Sequence, residues 1–449
     1  MSLVRMSQTR MYWGRETEIN AVKETMSRER FEEVKRFLHF SDNEKAPAKG
    51  TPSYDRLYKV RPLLDHIKEK FNKIPMSEHL SIDEQVIPYY GKCGPRYYIK
   101  NKPNPWGFKV WTLANSFGIV HDFEFCVGPT PQIEGFPNLG SCANTVLLLS
   151  SLVPKFRNHK IYVDNYFSNI PLYIEMENLG IQMAGTVRID RCPGFKNVVV
   201  SEKDLRALGK SAFKEYEAKL GNKVVRICHW FGNNIVTFIY TLGSAQPEVE
   251  VMRWDRSDSS NNKKVAVKAP NVVKHYNAYM GGVDKMDMLI ALYRIFYKSK
   301  KWYHRIFWHM VDECVCNAWL LYRRDWDASA QSGRHLNLME FKFEVSYCLR
   351  NQHKPCYQQK KVGRPTIFQQ LRERRKFRIR KTIPMKPVRE DGVGHVPVAL
   401  KRRGTCQNYD CKSVVVTFCI KCKVHLCIKR SRQCFLEFHG LEFDASEYE

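Results

Sequence analysis

The sequence predicts an α/β protein with helical segments on either side of a sheet, and three observations support this prediction. Apolar residues recur at three- and four-residue steps over 28–38, which is typical of an amphipathic helix. From about residue 80 the apolar period changes to two, which indicates strands, and helical and strand segments then alternate. Helical spacing dominates again over 279–326. Antiparallel strands followed by alternating helices and strands describe an α/β core.

Each predicted element has its own start or stop signal. The polar triplet Ser41-Asp42-Asn43 ends the first helix, and glycines at 107 and 118 mark turns between the first strands. The segment 192–268 is polar and contains strand patterns, so we interpret it as a mainly β insertion into the core. The predicted helices cover 28–38, 57–71, 142–155, 169–179 and 279–326, and the predicted strands cover 79–89, 107–114, 118–125, 160–163, 224–230 and 235–240.

The composition points to a polyanionic partner. The chain has 449 residues and a net charge of +27, which favours nucleic acid over an acidic membrane surface or a merely soluble basic protein. No apolar run approaches the roughly 18 residues of a membrane span, and the first residues lack a signal-peptide pattern. The fifteen cysteines are therefore expected in a reducing compartment, where clustered cysteines bind metal more often than they form disulfides.

Four aspartates are candidate ligands for a divalent cation. Asp83 lies in the first core strand on the face opposite Ile82, and Asp164 follows a buried strand at its carboxyl end, where ligand groups are usually presented. Asp284 and Asp287 are three residues apart near a predicted helix start, so both face the same way. Carboxylates, water and substrate phosphate are the ligands that Mg²⁺ prefers, and two such ions promote phosphoryl displacement.

Each aspartate also has an ordinary structural explanation. Asp83 can hydrogen-bond beside Ser81, Asp164 can open a turn with Asn165, and Asp284 can cap a helix. Spacing alone leaves these alternatives open.

A cysteine cluster near the carboxyl end predicts a second metal-binding region. Its thiols and histidines provide eight ligands, enough for two tetrahedral Zn²⁺ ions, and so small a segment needs such a staple to fold. From their order along the chain, we expect Cys406/Cys411 to share one ion with His425/Cys427, and Cys419/Cys422 to share the other ion with Cys434/His439. Either histidine can be a bystander. Disulfides or unliganded thiols are the alternatives. The pairs are Cys406/Cys411, Cys419/Cys422, His425/Cys427 and Cys434/His439.

Several motifs together resemble the piggyBac transposase family. The resemblance extends from about residue 12 to 440, and the motifs occur in the family's order. They are Met26-Ser27-Arg28-Glu29-Arg30-Phe31, Leu38-His39-Phe40-Ser41-Asp42-Asn43, Ser81-Ile82-Asp83-Glu84, Val163-Asp164-Asn165-Tyr166-Phe167, Gly185-Thr186-Val187-Arg188, the segment from Tyr276 to Asp284, Lys301-Trp302-Tyr303 and Asn317-Ala318-Trp319.

The resemblance implies a fold and a function. It implies an RNase H-like core in which Asp83, Asp164 and Asp284 are catalytic and Asp287 supports the site, with two Mg²⁺ ions as cofactors. It also implies cut-and-paste transposition through hairpin intermediates at TTAA sites, double-stranded DNA with terminal inverted repeats as partner, a homodimer, a nuclear location, and a cysteine-rich zinc domain that binds terminal-repeat DNA.

Two departures from the family pattern bear on activity. This chain has less of the amino-terminal region than family members usually have, which is expected of a truncated product or a shortened isoform. The residues after Trp230 also lack the acidic residue expected there. A domesticated DNA-binding protein without catalysis is therefore the main alternative, and a zinc-dependent protein scaffold is a third.

These observations predict seven segments. A basic linker that contains Gly363-Arg364-Pro365 separates the helical part from the cysteine cluster, and we expect it to bind phosphates unless it is only a solvated tether. The segments are 1–79 (helical dimerisation and DNA-binding domain, first part), 80–191 (RNase H-like core, first part), 192–268 (β insertion), 269–293 (core, last part), 294–349 (helical DNA-binding domain, second part), 350–403 (basic linker) and 404–440 (zinc domain).

Overall fold

The chain forms two compact units, Met1–Lys354 and Pro355–Glu449. The computed structural model describes residues 2–100, 104–195, 197–254, 264–329, 333–352, 383–429 and 432–441. The motif at 363–365 and most of the predicted basic linker lie outside these residues. No helix within the described ranges is long and apolar enough to cross a membrane.

Three helices precede the sheet. They are α1 (Asn20–Lys23), α2 (Arg28–Phe37) and α3 (Arg61–Phe71). The hydroxyl of Ser27 accepts a hydrogen bond from the Arg30 main chain at 3.2 Å and caps α2. Helix α3 begins four residues later than the sequence predicts, because Pro62 is tolerated only in the first turn of a helix.

The main sheet mixes parallel and antiparallel strands. Its order is β2-β3-β1-β5-β6-β9-β8-β7, with β4 also paired to β3. The β1–β5 and β5–β6 pairs are parallel, whereas β3 runs antiparallel to both β1 and β4. The strands are β1 (His79–Pro88), β2 (Tyr97–Tyr98), β3 (Trp106–Asn115), β4 (Val120–Phe125), β5 (Lys160–Val163), β6 (Gln182–Thr186), β7 (Phe213–Leu220), β8 (Lys223–Phe231) and β9 (Ile235–Tyr240).

Helices cover both faces of this sheet. On one face, Ile82 and Val163 pack in a core with α4 (Ser141–Ser150) and α5 (Ile170–Asn178). On the other face, Ile87 packs in a core with α3 and with three later helices. The remaining helices of this unit are α6 (Glu202–Ala207), α7 (Asn271–Tyr279), α8 (Gly282–Leu292), α9 (Trp302–Ala328) and α10 (Leu338–Asn351).

The β-rich segment is joined to the main sheet. Strand β9 pairs with β6 in antiparallel register, so β7, β8 and β9 extend the core sheet. A separate two-stranded ribbon follows, formed by β10 (Val249–Trp254) and β11 (Lys264–Ala269). Strand β6 escaped the sequence prediction because its small residues give a weak strand pattern. A Cβ atom at Gly185 would lie 2.6 Å from the Val163 carbonyl oxygen, which explains the glycine.

The second unit is small and rich in cysteine. It contains α11 (Lys386–Arg389), a three-stranded antiparallel sheet and α12 (Cys434–Phe438). The strands are β12 (Pro397–Thr405), β13 (Val414–Cys419) and β14 (Val424–His425). Strand β12 therefore begins in the segment that the sequence predicts as the end of the linker and crosses into the predicted zinc domain.

Candidate active site and metal centres

Asp83 and Asp164 occupy equivalent positions on two neighbouring parallel strands. Ile82 of β1 pairs with Val163 of β5, so each aspartate is the next residue after a paired residue. Neighbouring strands lie about 4.8 Å apart, which places the two main chains side by side. The β1–β5 register therefore brings together two acids that are far apart in the sequence.

The Asp83 side chain lies on the face of β1 opposite the buried Ile82. One carboxylate oxygen accepts a hydrogen bond from the main-chain N–H of Glu84 at 2.7 Å. Asp83 is half-buried, so its carboxylate is partly shielded from water without being enclosed.

Asp164 holds the turn after β5 and stays half-buried. Its Oδ1 accepts a hydrogen bond from the Tyr166 N–H at 2.8 Å, so the predicted turn is present. Burial raises the pKa of this carboxyl, and the charge of Glu84 adds to the rise, while the Tyr166 N–H and the Lys109 ammonium oppose it. The turn and the candidate site thus use the same carboxylate.

Asp284 reaches the sheet because α8 begins unusually close to it. A Cβ atom at Gly282 would lie 2.3 Å from the Asn115 carbonyl oxygen and 2.7 Å from the Ser81 hydroxyl. Ser81 lies two residues from Asp83, on the same face of β1. Only glycine permits this approach, which sets Asp284, exposed in the first turn of α8, beside the other two acids.

The charges of the three aspartates all act on one phenol. Burial, followed by the charges of Asp164, Asp83 and Asp284, raises the pKa of Tyr276 to about 12. Tyr276 lies on α7, and sequence reasoning assigned it no role. The carboxylates do not form a group of three within 4.8 Å of one another in the described ranges. Mutual repulsion between like charges is the physical reason for such an open arrangement.

Asp287 faces α9. Burial and the charge of Asp287 raise the pKa of Glu313 to about 8, and Glu313 is 1% exposed. The fourth predicted acid therefore lies beside a buried glutamic acid that sequence reasoning missed. The available signal was a glutamate among apolar residues of α9.

The second unit gathers two groups of metal-ligating side chains. In each group the ligand atoms lie within 4.8 Å of one another. The sulfur atoms of Cys411 and Cys427 are 3.6 Å apart, and Cys422 Sγ is 3.4 Å from His439 Nε2. Ligands around a tetrahedral Zn²⁺ ion are about 3.5–3.8 Å apart, so both groups fit such an ion. The groups are Cys406, Cys411, Cys427 and Cys434, and His395, Cys419, Cys422 and His439.

The grouping differs from the expected one in two members. His395 takes the place expected for Cys434 in the group with Cys419 and Cys422. His425 belongs to neither group, and its Nε2 faces the Arg402 carbonyl oxygen at 3.3 Å. Cys434 joins the first group and His439 the second. These two residues are five positions apart at α12, which separates their directions by about 140°. One helical turn therefore divides the expected pair between two sites.

The histidine ligands are oriented by their neighbours. His395 donates from Nε2 to an Asp391 carboxylate oxygen at 3.0 Å, which turns its Nδ1 toward Cys422 Sγ at 3.4 Å. His439 donates from Nδ1 to the Phe435 carbonyl at 2.7 Å, which leaves Nε2 for the metal. Such partners set the tautomer and the ring orientation of a ligating histidine.

Comparisons with known proteins agree on one family. A family model described as Transposase IS4 matches residues 1–319. The human "PiggyBac transposable element-derived protein 3" is 28% identical over 97% of this chain and 67% of its own length. The human "PiggyBac transposable element-derived protein 2" is 27% identical over 70% of this chain, which spans 52% of that relative.

A solved structure has the same fold. It is a piggyBac transposase synaptic complex with hairpin DNA, matched with a TM-score of 0.60 and 20% identity over 95% of this chain and 84% of that chain. The family model covers most of the chain, and the relatives and the fold agree with it. The chain therefore belongs to the piggyBac-type transposase family.

Proposed function

We propose that this protein is a cut-and-paste DNA transposase that cleaves and transfers DNA strands with divalent metal ions. One observation carries the proposal: the β1–β5 register sets Asp83 beside Asp164, and the close approach at Gly282 brings the start of α8, with Asp284, against β1, in a chain of net charge +27. Acids that repel one another in a basic protein are well suited to binding Mg²⁺. Two such ions, when bound, activate the attacking oxygen and stabilise the leaving oxygen of a phosphoryl displacement.

Two of the acids are positioned by strands and the third by a helix. Asp83 and Asp164 are set by strand register, and Asp284 is presented by α8. Asp287 supports the site from the same helix, beside Glu313. The strand order β4-β3-β1-β5-β6, with β1 parallel to β5, supports an RNase H-like core.

The cysteine-rich unit is proposed to bind two Zn²⁺ ions and to recognise terminal-repeat DNA. Thiolate and imidazole groups are the ligands that structural Zn²⁺ sites use. The function proposed for the whole chain also includes insertion at TTAA sites, a homodimer and a nuclear location. The similarity to a piggyBac transposase complex with hairpin DNA supports DNA as the partner.

A non-catalytic, domesticated DNA-binding protein is the second candidate. The descriptions of two human relatives as transposable element-derived proteins favour this candidate. In that case the basic surface and the cysteine-rich unit still bind DNA, and the acids retain a structural role.

The test is cleavage of a labelled, TTAA-containing hairpin duplex with Mg²⁺. We expect the parent chain to open the hairpin, and Asp164→Asn to reduce the rate by about 100-fold or more while DNA binding persists. The matched control is Asp65→Asn, because the Asp65 side chain is 59% exposed on α3. Cleavage that survives Asp164→Asn overturns the catalytic assignment. Binding without cleavage by the parent chain selects the second candidate.

A further inference from the structure

A basic cleft lies beyond the carboxyl end of β1. Its volume is about 860 Å³, within the range of ligand pockets. One wall comes from the residues that follow β1, and the other comes from the connection between α8 and α9. Six cations line the cleft, and its lining contains no carboxylate. The cations are Arg5, Lys92, Arg294, Lys298, Lys300 and Arg305.

Two guanidinium groups in this cleft are close together without a counterion. The buried Nε of Arg294 has no hydrogen-bond partner in the described part of the chain. Arg305 donates from Nε to the Pro88 carbonyl at 2.9 Å, and burial, followed by the charge of Arg294, lowers the pKa of Arg305 to about 10. Neither arginine has an ion-pair partner among these residues. An anion would relieve this repulsion and supply the missing acceptor.

Asp312, whose charge acts on both arginines, is already engaged. Asp312 accepts from Lys342 Nζ at 2.7 Å through one oxygen and from the Ile295 N–H at 2.7 Å through the other. Lys342 also donates to the Tyr293 carbonyl oxygen at 2.8 Å. These bonds hold the main chain on both sides of Arg294. The cationic pair is therefore held in place before a ligand arrives, which lowers the entropic cost of binding.

Aromatic rings stand beside the cations and remain open to solvent. Tyr90 is 64% exposed and Phe296 is 45% exposed. The guanidinium of Arg5 lies 5.7 Å from the Phe296 ring centroid, and Lys298 Nζ lies 5.6 Å from it. Exposed rings interleaved with bases are the surface on which unpaired nucleotides stack, while cations follow the phosphates.

We propose that this cleft binds an unpaired nucleotide of the DNA strand. Arg294 and Arg305 bind its phosphate, and Tyr90 and Phe296 stack its base. Pro88 lies five positions after Asp83 on β1, which corresponds to about 17 Å along the strand. The nucleotide therefore lies outside the cleavage position, about five steps away if the DNA keeps the B-form rise of 3.4 Å per step. This inference rests on the proposed DNA-processing function and adds a structure-selective contact to it.

The test compares labelled duplexes with and without three unpaired nucleotides by fluorescence anisotropy. We expect Tyr90→Ala and Phe296→Ala to weaken binding to the interrupted duplex by about 5-fold to 150-fold each and to leave the continuous duplex unchanged. We expect Arg294→Gln to reduce the slope of log affinity against log salt by about one on the interrupted duplex. Lys298→Gln, at an exposed position, is a second charge variant and is expected to reduce the same slope by about one.

The controls separate this inference from the proposed function. Phe156→Ala removes an exposed ring, 73% accessible, in the loop before β5, near the end of β1 opposite the cleft, and is expected to change neither affinity. The cleft proposal is overturned if the four variants lose equal affinity for both duplexes, or if none of them loses affinity. Either result leaves the proposed transposase activity in place. A parent chain that binds neither duplex removes the proposed function itself.

Discussion

Gly282 contacts Asn115 so closely that no side chain fits between them. A Cβ atom at Gly282 would lie 2.3 Å from the Asn115 carbonyl oxygen, whereas one at the neighbouring Gly281 would meet nothing within 4 Å. The same contact brings the first turn of α8, and with it Asp284, against β1 and β3. The two glycines of one motif therefore have different roles: Gly282 sets the position of the site.

The first prediction concerns these glycines. Gly282→Ala forces α8 away from β3, so we expect a loss of about 1–3 kcal/mol in unfolding free energy and a large loss of metal-dependent cleavage. Gly281→Ala is the matched control, and we expect it to change neither. Urea unfolding and hairpin cleavage measure the two effects. Equal behaviour of the two variants would show that the close approach does not position Asp284.

The second prediction concerns pH. His121 on β4 is 0% exposed, and burial lowers its pKa to about 4 from 6.5. Because the folded state disfavours protonation of His121, the neutral imidazole contributes fully to stability above pH 6.5. This contribution is lost as the pH falls toward 4. Over this pH interval the unfolding free energy of the parent chain should fall by up to about 3 kcal/mol relative to that of His121→Gln. His66→Gln, at an exposed position of α3, is the control. Parallel profiles for parent and His121→Gln would contradict the prediction.

The third prediction concerns metal content. We expect the purified parent chain to contain two Zn²⁺ ions, and His395→Ala to retain one, because His395 belongs to one ligand group. His425→Ala should keep both, since His425 lies outside the groups. Native mass spectrometry counts the ions. Loss of zinc from His425→Ala with retention in His395→Ala would reverse the assignment.

The fourth prediction concerns the buried pair Asp312 and Lys342. Their side chains are 1% and 6% exposed, and Lys342→Met leaves the carboxylate without its cation. We expect a loss of about 3–5 kcal/mol in unfolding free energy, which Lys342→Met/Asp312→Leu should partly restore. Arg334→Ala breaks the exposed pair with Glu340 and should cost less than about 1 kcal/mol. Equal losses at both pairs would contradict the role of burial.

The sequence predicts the regular core well and its exceptions poorly. The period of two in β1 and the apolar run of β5 identify the strands that bear Asp83 and Asp164, because burial imposes these patterns. Strand β6 has small residues, and its pairing with β9 depends on contacts between distant segments. Periodicity carries no information on such contacts.

The sites follow the same rule. Cysteine spacing predicts two metal groups, but His395 lies before β12, in a segment whose basic composition indicates a linker. Tyr276 and Glu313 gain their importance only from the residues that folding brings beside them. Local spacing predicts the cysteines of both groups, whereas the path of the chain decides which of them meet and which histidines join them.

The β1–β5 register gives the carboxylate site an unequal mechanical character. The spacing between Asp83 and Asp164 is maintained by main-chain hydrogen bonds of a sheet covered on both faces, so it resists change in neighbouring side chains. Asp284 is positioned differently, because side-chain packing of Val283, Met286 and Ile290 holds α8 in the core together with the close contact at Gly282. Main-chain pairing therefore fixes two acids and side-chain packing fixes the third. Substitutions among the apolar contacts of α8 can shift Asp284 relative to the other two acids without changing any acid.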